Sequence, residues 1–256
     1  MNARVFVPEP PMGDRYELSG PEAHHLLHVL RVAVGQPVTL FDGQGIEYQA
    51  QVERVDRRSI DLTVLSRRSV NRELSRPLVL VVALPKGDRQ RWLVEKCVEL
   101  GVTELRPLVA TRTVAEPGDK TQQRLERYVI EASKQCGRNR LMAIGLPLDV
   151  GQPSQLLTPV AAPAGNSPWA RWIADPSATV GCAAAMREQL SAGVPGGCLL
   201  IGPEGGWTAT ELDQIGQAGW QPVGLGPRIL RVETAALAAA SIWSTLAEVA
   251  PTSAPC

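Results

Sequence analysis

The sequence predicts an α/β protein in two parts: a small β-barrel, then a larger α/β domain with a mostly parallel sheet. Three observations predict it. Short apolar segments with turn residues between them fill the region before Ser69. Beyond a polar junction that ends in proline, near-continuous apolar runs alternate with amphipathic helical patterns. The chain of 256 residues, 44% of them hydrophobic, is also long enough to bury one large core or two smaller ones.

In chain order, RVFV, PVTLFDG, IEYQAQVERV and SIDLTVLS read as strands, with turns at Asp42-Gly43 and Gln44-Gly45. Between the first two, Pro21 to Gly35 reads as a helix with Leu26, Leu27, Leu30 and Val34 on one face and Gly35 as its stop. The junction SVNRELSRP puts the domain boundary at 72/73, giving residues 1–72 and 73–256. LVLVVALP then reads as a strand covered on both faces. Helices are expected over 89–101, capped by Gly101, and over 120–137, with the strand ELRPLVA between them. Residues 150–168, rich in Pro, Ala, Gly and Ser, read as a surface connection. WIADP, a helix around Ala183–Leu190, CLLIG, a helix over Ala209–Ala218, QPVGL and a helix over Glu233–Val249 complete the alternation.

Composition narrows the function classes. No stretch approaches the roughly 18 apolar residues that a membrane span needs, and MNARVFVPEP has no apolar signal region, so a cytoplasmic protein is expected. Cysteines 97, 136, 182, 198 and 256 stand far apart and are odd in number, which suits reduced thiols. His24, His25 and His28 lack partners at ligand spacing, so no metal is expected. Charge is balanced at 26 basic and 26 acidic residues, so the global basic footprint of a nucleic-acid binder is missing. Of the basic residues 22 are arginine, the side chain suited to bidentate phosphate contacts, although codon bias explains such a count equally well.

The stretch IGPEGGWTATEL puts a proline, an acid and two glycines directly after an apolar strand. Thr208 with Glu211 fits a capping box, so PEGGW is a strand-to-helix loop at the carboxyl end of a parallel strand, where such sheets place ligands. A second loop, GPRILRVET, follows QPVGL, and the two can open on one edge of the sheet. Neither GxxxxGK[ST] nor GxGxxG is present. Spacing alone therefore supports a small-molecule site and leaves a pair of tight turns as the alternative.

At these residues the chain resembles a known family. IGPEGGWTATEL and LGPRILRVETAALAA are similar to the paired motifs of the RsmE-type 16S rRNA uridine N3-methyltransferases, of the SPOUT class. HHLLHVLRVAVGQPVTLFDGQG, PKGDRQRWLVEKCVELGV and RYVIEASKQCGR resemble the family's other segments, in the same order. Cys136 stands where a serine is common, and LMAI follows Arg140 where a proline is usual.

The resemblance implies a PUA-like barrel for RNA, then a SPOUT domain whose C-terminal part threads a trefoil knot. It implies S-adenosylmethionine as cofactor, 16S rRNA of the small ribosomal subunit as substrate, a homodimer, and ribosome biogenesis as the setting. The cofactor residues would be Leu84, Ile201, Gly202, Glu204, Gly205, Gly206, Leu225, Gly226, Ile229, Leu230 and Thr234. Arg231 would stabilise charge on the uracil and Glu233 would accept the N3 proton or orient Arg231; a first-turn acid also simply suits the helix dipole. Arg4, His28, Arg31, Lys86, Arg138, Arg140 and Arg171 are the candidate RNA contacts. Arg57, Arg58, Arg67 and Arg68 read equally well as the solvent side of a hairpin. Two alternatives remain: a SPOUT enzyme with another RNA target, or a non-catalytic RNA-binding assembly factor.

Overall fold

The computed structural model describes residues 3–114, 118–157 and 169–249. Cys256 and residues 158–168 of the expected connection lie outside the described residues. The chain divides into two compact units, Met1–Arg72 with Ile130–Leu141, and Glu73–Val129 with Met142–Cys256.

The first unit holds β1 (Ala3–Phe6), β2 (Arg15–Ser19), α1 (Gly20–His24), β3 (Pro37–Phe41), β4 (Ile46–Val55) and β5 (Ser59–Ser69). They form a mixed half-barrel sheet of order β1-β3-β4-β5-β2, in which only the β1–β3 pair is parallel. Two register shifts in β4, at Gln49/Ala50 and Val52/Arg54, bend the long hairpin. Its concave face buries Val5, Leu26, Val38, Leu40, Ile60 and Leu62. Strand β2 was not expected, because RYELS buries only Leu18 fully and so shows no clear alternation.

The helix expected from Pro21 to Gly35 is shorter and changes its winding. After α1 the chain is π-helical over His25–Leu30 and stops at Arg31, which is left-handed at φ 52. The amide N–H groups of Arg31 and Val32 both donate to the Leu26 carbonyl, closing the end early. Leu26 is fully buried, whereas Leu30 is 48% and Val34 64% exposed, so the apolar face ends a turn before the sequence pattern does. A non-glycine residue in this conformation costs about 1 kcal/mol or more.

Residues 130–141 group with this unit through a buried polar cluster, a return that one cut at 72/73 leaves out. Arg4 lies 4.5 Å over the Phe41 ring, pairs with Glu47 at 3.1 Å and donates to the Asn139 side chain. Asn139 donates in turn to Glu47 and to the Val70 carbonyl, and Lys134 pairs with Glu22 at 3.0 Å. Burial raises the Glu47 carboxyl, but the hydrogen bonds from Arg4 and Asn139 and the charges of Arg4 and Arg72 outweigh it and hold it below its usual value.

The second unit runs β6 (Leu78–Val82), α2 (Asp88–Glu99), β7 (Glu104–Val109), α3 (Asp119–Cys136, its last turns in the first unit), β8 (Ala143–Ile144), β9 (Leu148–Asp149) and α4 (Pro153–Leu157). It continues with β10 (Ala170–Ala174), α5 (Cys182–Ser191), β11 (Gly197–Ile201), α6 (Ala209–Gln217), β12 (Gln221–Val223) and α7 (Val232–Val249). The small elements β8, β9 and α4 were not expected. Every strand pair is parallel, in the order β12-β10-β11-β6-β7-β8, with β9 also on β7. All five residues of β6 and of β11 are buried, as central strands covered on both faces must be. Helix α7 buries Ala236, Ala239, Ala240 and Trp243, and the Trp243 ring meets Trp172 of β10 edge-on at 5.5 Å. Cys97, Cys182 and Cys198 are buried and outside any disulfide among the described residues, and burial pushes the Cys182 thiol up to about 11. Among the described residues no helix is long and apolar enough to cross a membrane.

Arg4 is the shortest-range partner of Glu47, which keeps only the longer and more exposed pairs with Arg68 and Arg72 when Arg4 is removed. Arg4→Met is expected to lower the first unit's stability by about 2 kcal/mol in denaturant unfolding, the worth of lost hydrogen bonds to a charged group. Arg4→Met with Glu47→Leu should cost less than the sum of the two single changes.

Candidate active site

Strand order decides which loops meet. Strand β10 lies between β11 and β12 and all three run parallel, so their outgoing loops leave at one carboxyl edge. The two glycine loops are thus not on neighbouring strands; the loop after β10, with Asp175 and Pro176, stands between them. Together the three enclose a cavity of about 260 Å³.

The loop after β11 contributes Ile201 through Trp207. Pro203 and Gly206 close a turn through a 2.8 Å amide-to-carbonyl bond. The Trp207 indole N–H donates to the Ala174 carbonyl at 3.1 Å, tying this loop to the end of β10. The expected capping box is present: Glu211 N–H donates to Thr208 Oγ1, and Thr208 N–H donates to Glu211 Oε2 at 2.7 Å. Glu211 Oε1 also accepts from the Thr111 amide at 2.8 Å, and Arg112 Nη1 donates to the Gly205 carbonyl at 2.7 Å. The loop after β7 therefore clamps the glycine loop at two points.

The glycines have different reasons. A Cβ on Gly202 would stand 2.6 Å from the Trp207 ring, and one on Gly205 would stand 3.1 Å from Arg112. Both are small because the protein's own side chains cross them. Gly206 (φ +70) and Gly226 (φ +103) are left-handed, line the cavity, and have nothing within 4 Å of an added Cβ.

Leu225, Gly226, Ile229 and Leu230 of the loop after β12 form the other wall, with Val232 and Ala235 of α7. Ile229 is 81% exposed at the rim. Nine expected cofactor residues line the cavity: four here, with Ile201, Gly202, Glu204, Gly205 and Gly206. Leu84 is buried and Thr234 exposed, and neither lines it. Asp175, Trp207 and Arg228 also line it and were missed. Asp175 had a usable signal, a DP dipeptide at a strand end, but its relevance depends on the strand order.

Arg231 is exposed at the start of α7, while Glu233 is 5% exposed. Arg89 of α2, also missed, reaches both Glu204, at 3.6 Å, and Glu233, at 3.5 Å. Among the described residues the ion-pair partner of Glu233 is thus Arg89. The second oxygen of Glu233, Oε2, is buried without a hydrogen-bond partner. A buried carboxylate oxygen left free is a ready acceptor for a ligand N–H. Among the described residues no three His, Cys, Asp or Glu are grouped to hold a metal.

The candidate RNA contacts divide by exposure. His28, Arg31, Lys86 and Arg140 are exposed, and Arg171 is half-buried on β10. Arg138 is buried, and Arg4 is half-buried with its charge taken up by Glu47, so neither is as open to solvent as the other candidates.

The chain matches the family described as RNA methyltransferase domain over residues 72–244, and the RNA methyltransferase PUA domain over residues 18–65. A ribosomal RNA small subunit methyltransferase E of Synechocystis sp. is 32% identical, over 95% of this chain and 77% of that protein. The Bacillus subtilis protein of the same name is 30% identical over 91% of each. The crystal structure of ribosomal RNA small subunit methyltransferase E from Neisseria gonorrhoeae, bound to S-adenosyl methionine, aligns with a TM-score of 0.80 at 30% identity, over 96% of this chain and 98% of that one.

Burial raises the Glu211 carboxyl, but the hydrogen bonds from Thr208 and Thr111 outweigh it and hold it below its usual value. Its contribution to stability is therefore complete above the ordinary carboxylate range and lost as pH falls through the depressed value. Thermal unfolding should show this acid loss, and Glu211→Gln should flatten it. Thr208→Ala is expected to cost about 1 kcal/mol.

Proposed function

This chain belongs to the RNA methyltransferase family, and from that premise we propose that it transfers the methyl group of S-adenosylmethionine to N3 of a uridine in 16S rRNA of the small ribosomal subunit. The observation that carries the reading is the three-loop cavity at the carboxyl edge of β10, β11 and β12. It fits the cofactor by chemistry. Ile201, Leu225, Leu230 and Val232 supply apolar walls for an adenine, and the loops supply main-chain donors and acceptors for its edge. The open space at Gly206 and Gly226 admits a ligand close to main chain, and the carboxylates of Asp175 and Glu204 suit its positive charge. When bound, S-adenosylmethionine supplies a methyl group already activated on a sulfonium.

The residues must therefore mainly position the base and remove a proton. Uridine N3 bears its proton in the same place where it would pair, so the base must be presented unpaired. Glu233 accepts that proton on its free oxygen Oε2, while Arg89 balances the carboxylate through Oε1. Arg231, exposed and without an ion pair among the described residues, stabilises the negative charge that spreads onto the uracil oxygens. Residues 1–72 bind RNA and residues 73–256 carry out the transfer. The same reading makes the protein a cytoplasmic homodimer with a C-terminal trefoil knot, a threading that the insertion of β11 between β10 and β6 supports.

Gly205→Val forces Arg112 aside and breaks its bond to the Gly205 carbonyl; calorimetry should then detect no S-adenosylmethionine binding, with circular dichroism unchanged. Binding equal to the parent protein would remove this loop from the site. Arg231→Ala should lower turnover at saturating RNA on the order of 100-fold, with cofactor affinity retained. Unchanged turnover would refute its role.

A further inference from the structure

The first unit carries a second concave site, unrelated to the cofactor loops. At the tip of the β4–β5 hairpin, Asp56 and Ser59 are bonded across the turn, which projects Arg57 and Arg58 outward. Facing them, α1 and the π-helical turn place His24 and His28 side by side, with ring centroids 4.4 Å apart. These four side chains line a groove of about 500 Å³ over Gly20, Pro21 and Leu27.

Charge accounting separates this groove from an ordinary solvated surface. Arg54, next along the hairpin, is neutralised by Asp56 and Asp61, and Arg15 pairs with Glu53. Glu22, the acid on α1, is engaged by Lys134. The carboxylates nearest in sequence are thus already paired, and among the described residues no ion pair engages Arg57 or Arg58. A chain with zero net charge keeps a local excess of cation here. The second observation is conformational: the turn that supplies His28, directly after His24, is π-wound and ends on a strained, left-handed Arg31. Winding of this kind and non-glycine strain concentrate at functional positions.

We propose that this groove is a phosphodiester subsite, in which Arg57 and Arg58 hold backbone phosphates of the RNA strand and the imidazole N–H groups of His24 and His28 donate to the same oxygens. It rests on the reading of the protein as an RNA methyltransferase and names where the first unit grips the substrate. Guanidinium forks match phosphate oxygens in pairs, and such contacts position a strand without reading its sequence.

The test compares the full chain, Arg57→Gln with Arg58→Gln, and a charge-matched control, Lys120→Gln with Arg187→Gln, both exposed on the second unit. Binding to a 16S rRNA transcript is followed by fluorescence anisotropy across a salt series, and S-adenosylmethionine affinity by calorimetry. The groove variant should bind RNA at least tenfold more weakly at physiological salt. Its plot of log affinity against log salt should be shallower by about 1.4 to 1.8, at roughly 0.7–0.9 per phosphate contact removed, with cofactor affinity unchanged. The control should keep the parent slope. Parent-like affinity and slope in the groove variant, or an equal loss in the control, would overturn the proposal, as would a parent protein that does not bind the transcript. If the parent binds RNA through the groove but forms no 3-methyluridine, the subsite stands and the assigned reaction falls.

Discussion

Parallel strands must deliver their outgoing loops to the same edge of a sheet, and the site of the second unit depends on that constraint. Because β10 is inserted between β11 and β12, three loops converge there instead of two. A loop so rich in glycine would have many conformations, and side-chain bonds to neighbouring segments remove them. Arg112 holds the Gly205 carbonyl, Trp207 reaches back to β10, and Glu211 joins the helix cap to Thr111. The loop is therefore preorganised by its neighbours, which leaves its main chain at Gly206 open to a ligand, facing Gly226 of the loop after β12.

Charge is distributed by the same economy. Arg4, Arg54, Arg68 and Arg72 pair with carboxylates within the first unit, and Arg4 does so almost out of reach of water. Among the described residues no ion pair engages Arg231 or the hairpin pair Arg57 and Arg58. A balanced total thus hides a division between arginines that hold the fold and arginines left without a carboxylate partner. Glu233 is the converse case, a buried carboxylate with one oxygen neutralised by Arg89 and the other left free.

Much of this was legible from local pattern. Strand β4 occupies the residues its alternation marks out, and the capping box at Thr208 locates the start of α6 to the residue. What escaped depends on information that is not local. RYELS is an edge strand with one fully buried side chain, so it has almost no pattern to read. The helix after Pro21 ends at Arg31 and not at Gly35, because a π turn moves Leu30 and Val34 off the apolar face. Asp175 joins the site only through the strand order, and Arg89 and Arg112 only through contacts between distant segments. Arg138 carries a basic side chain that the sequence shows and a burial that it does not, and Arg4 a pairing with Glu47 that only the fold reveals.

The most direct test of the account is the product. Purified protein is incubated with radiolabelled S-adenosylmethionine and small ribosomal subunits that lack the modification, and the digested 16S rRNA is analysed by nucleoside mass spectrometry. The account predicts label in 3-methyluridine. Label in any other nucleoside, or in a ribose, would contradict the assigned atom while keeping the methyl transfer.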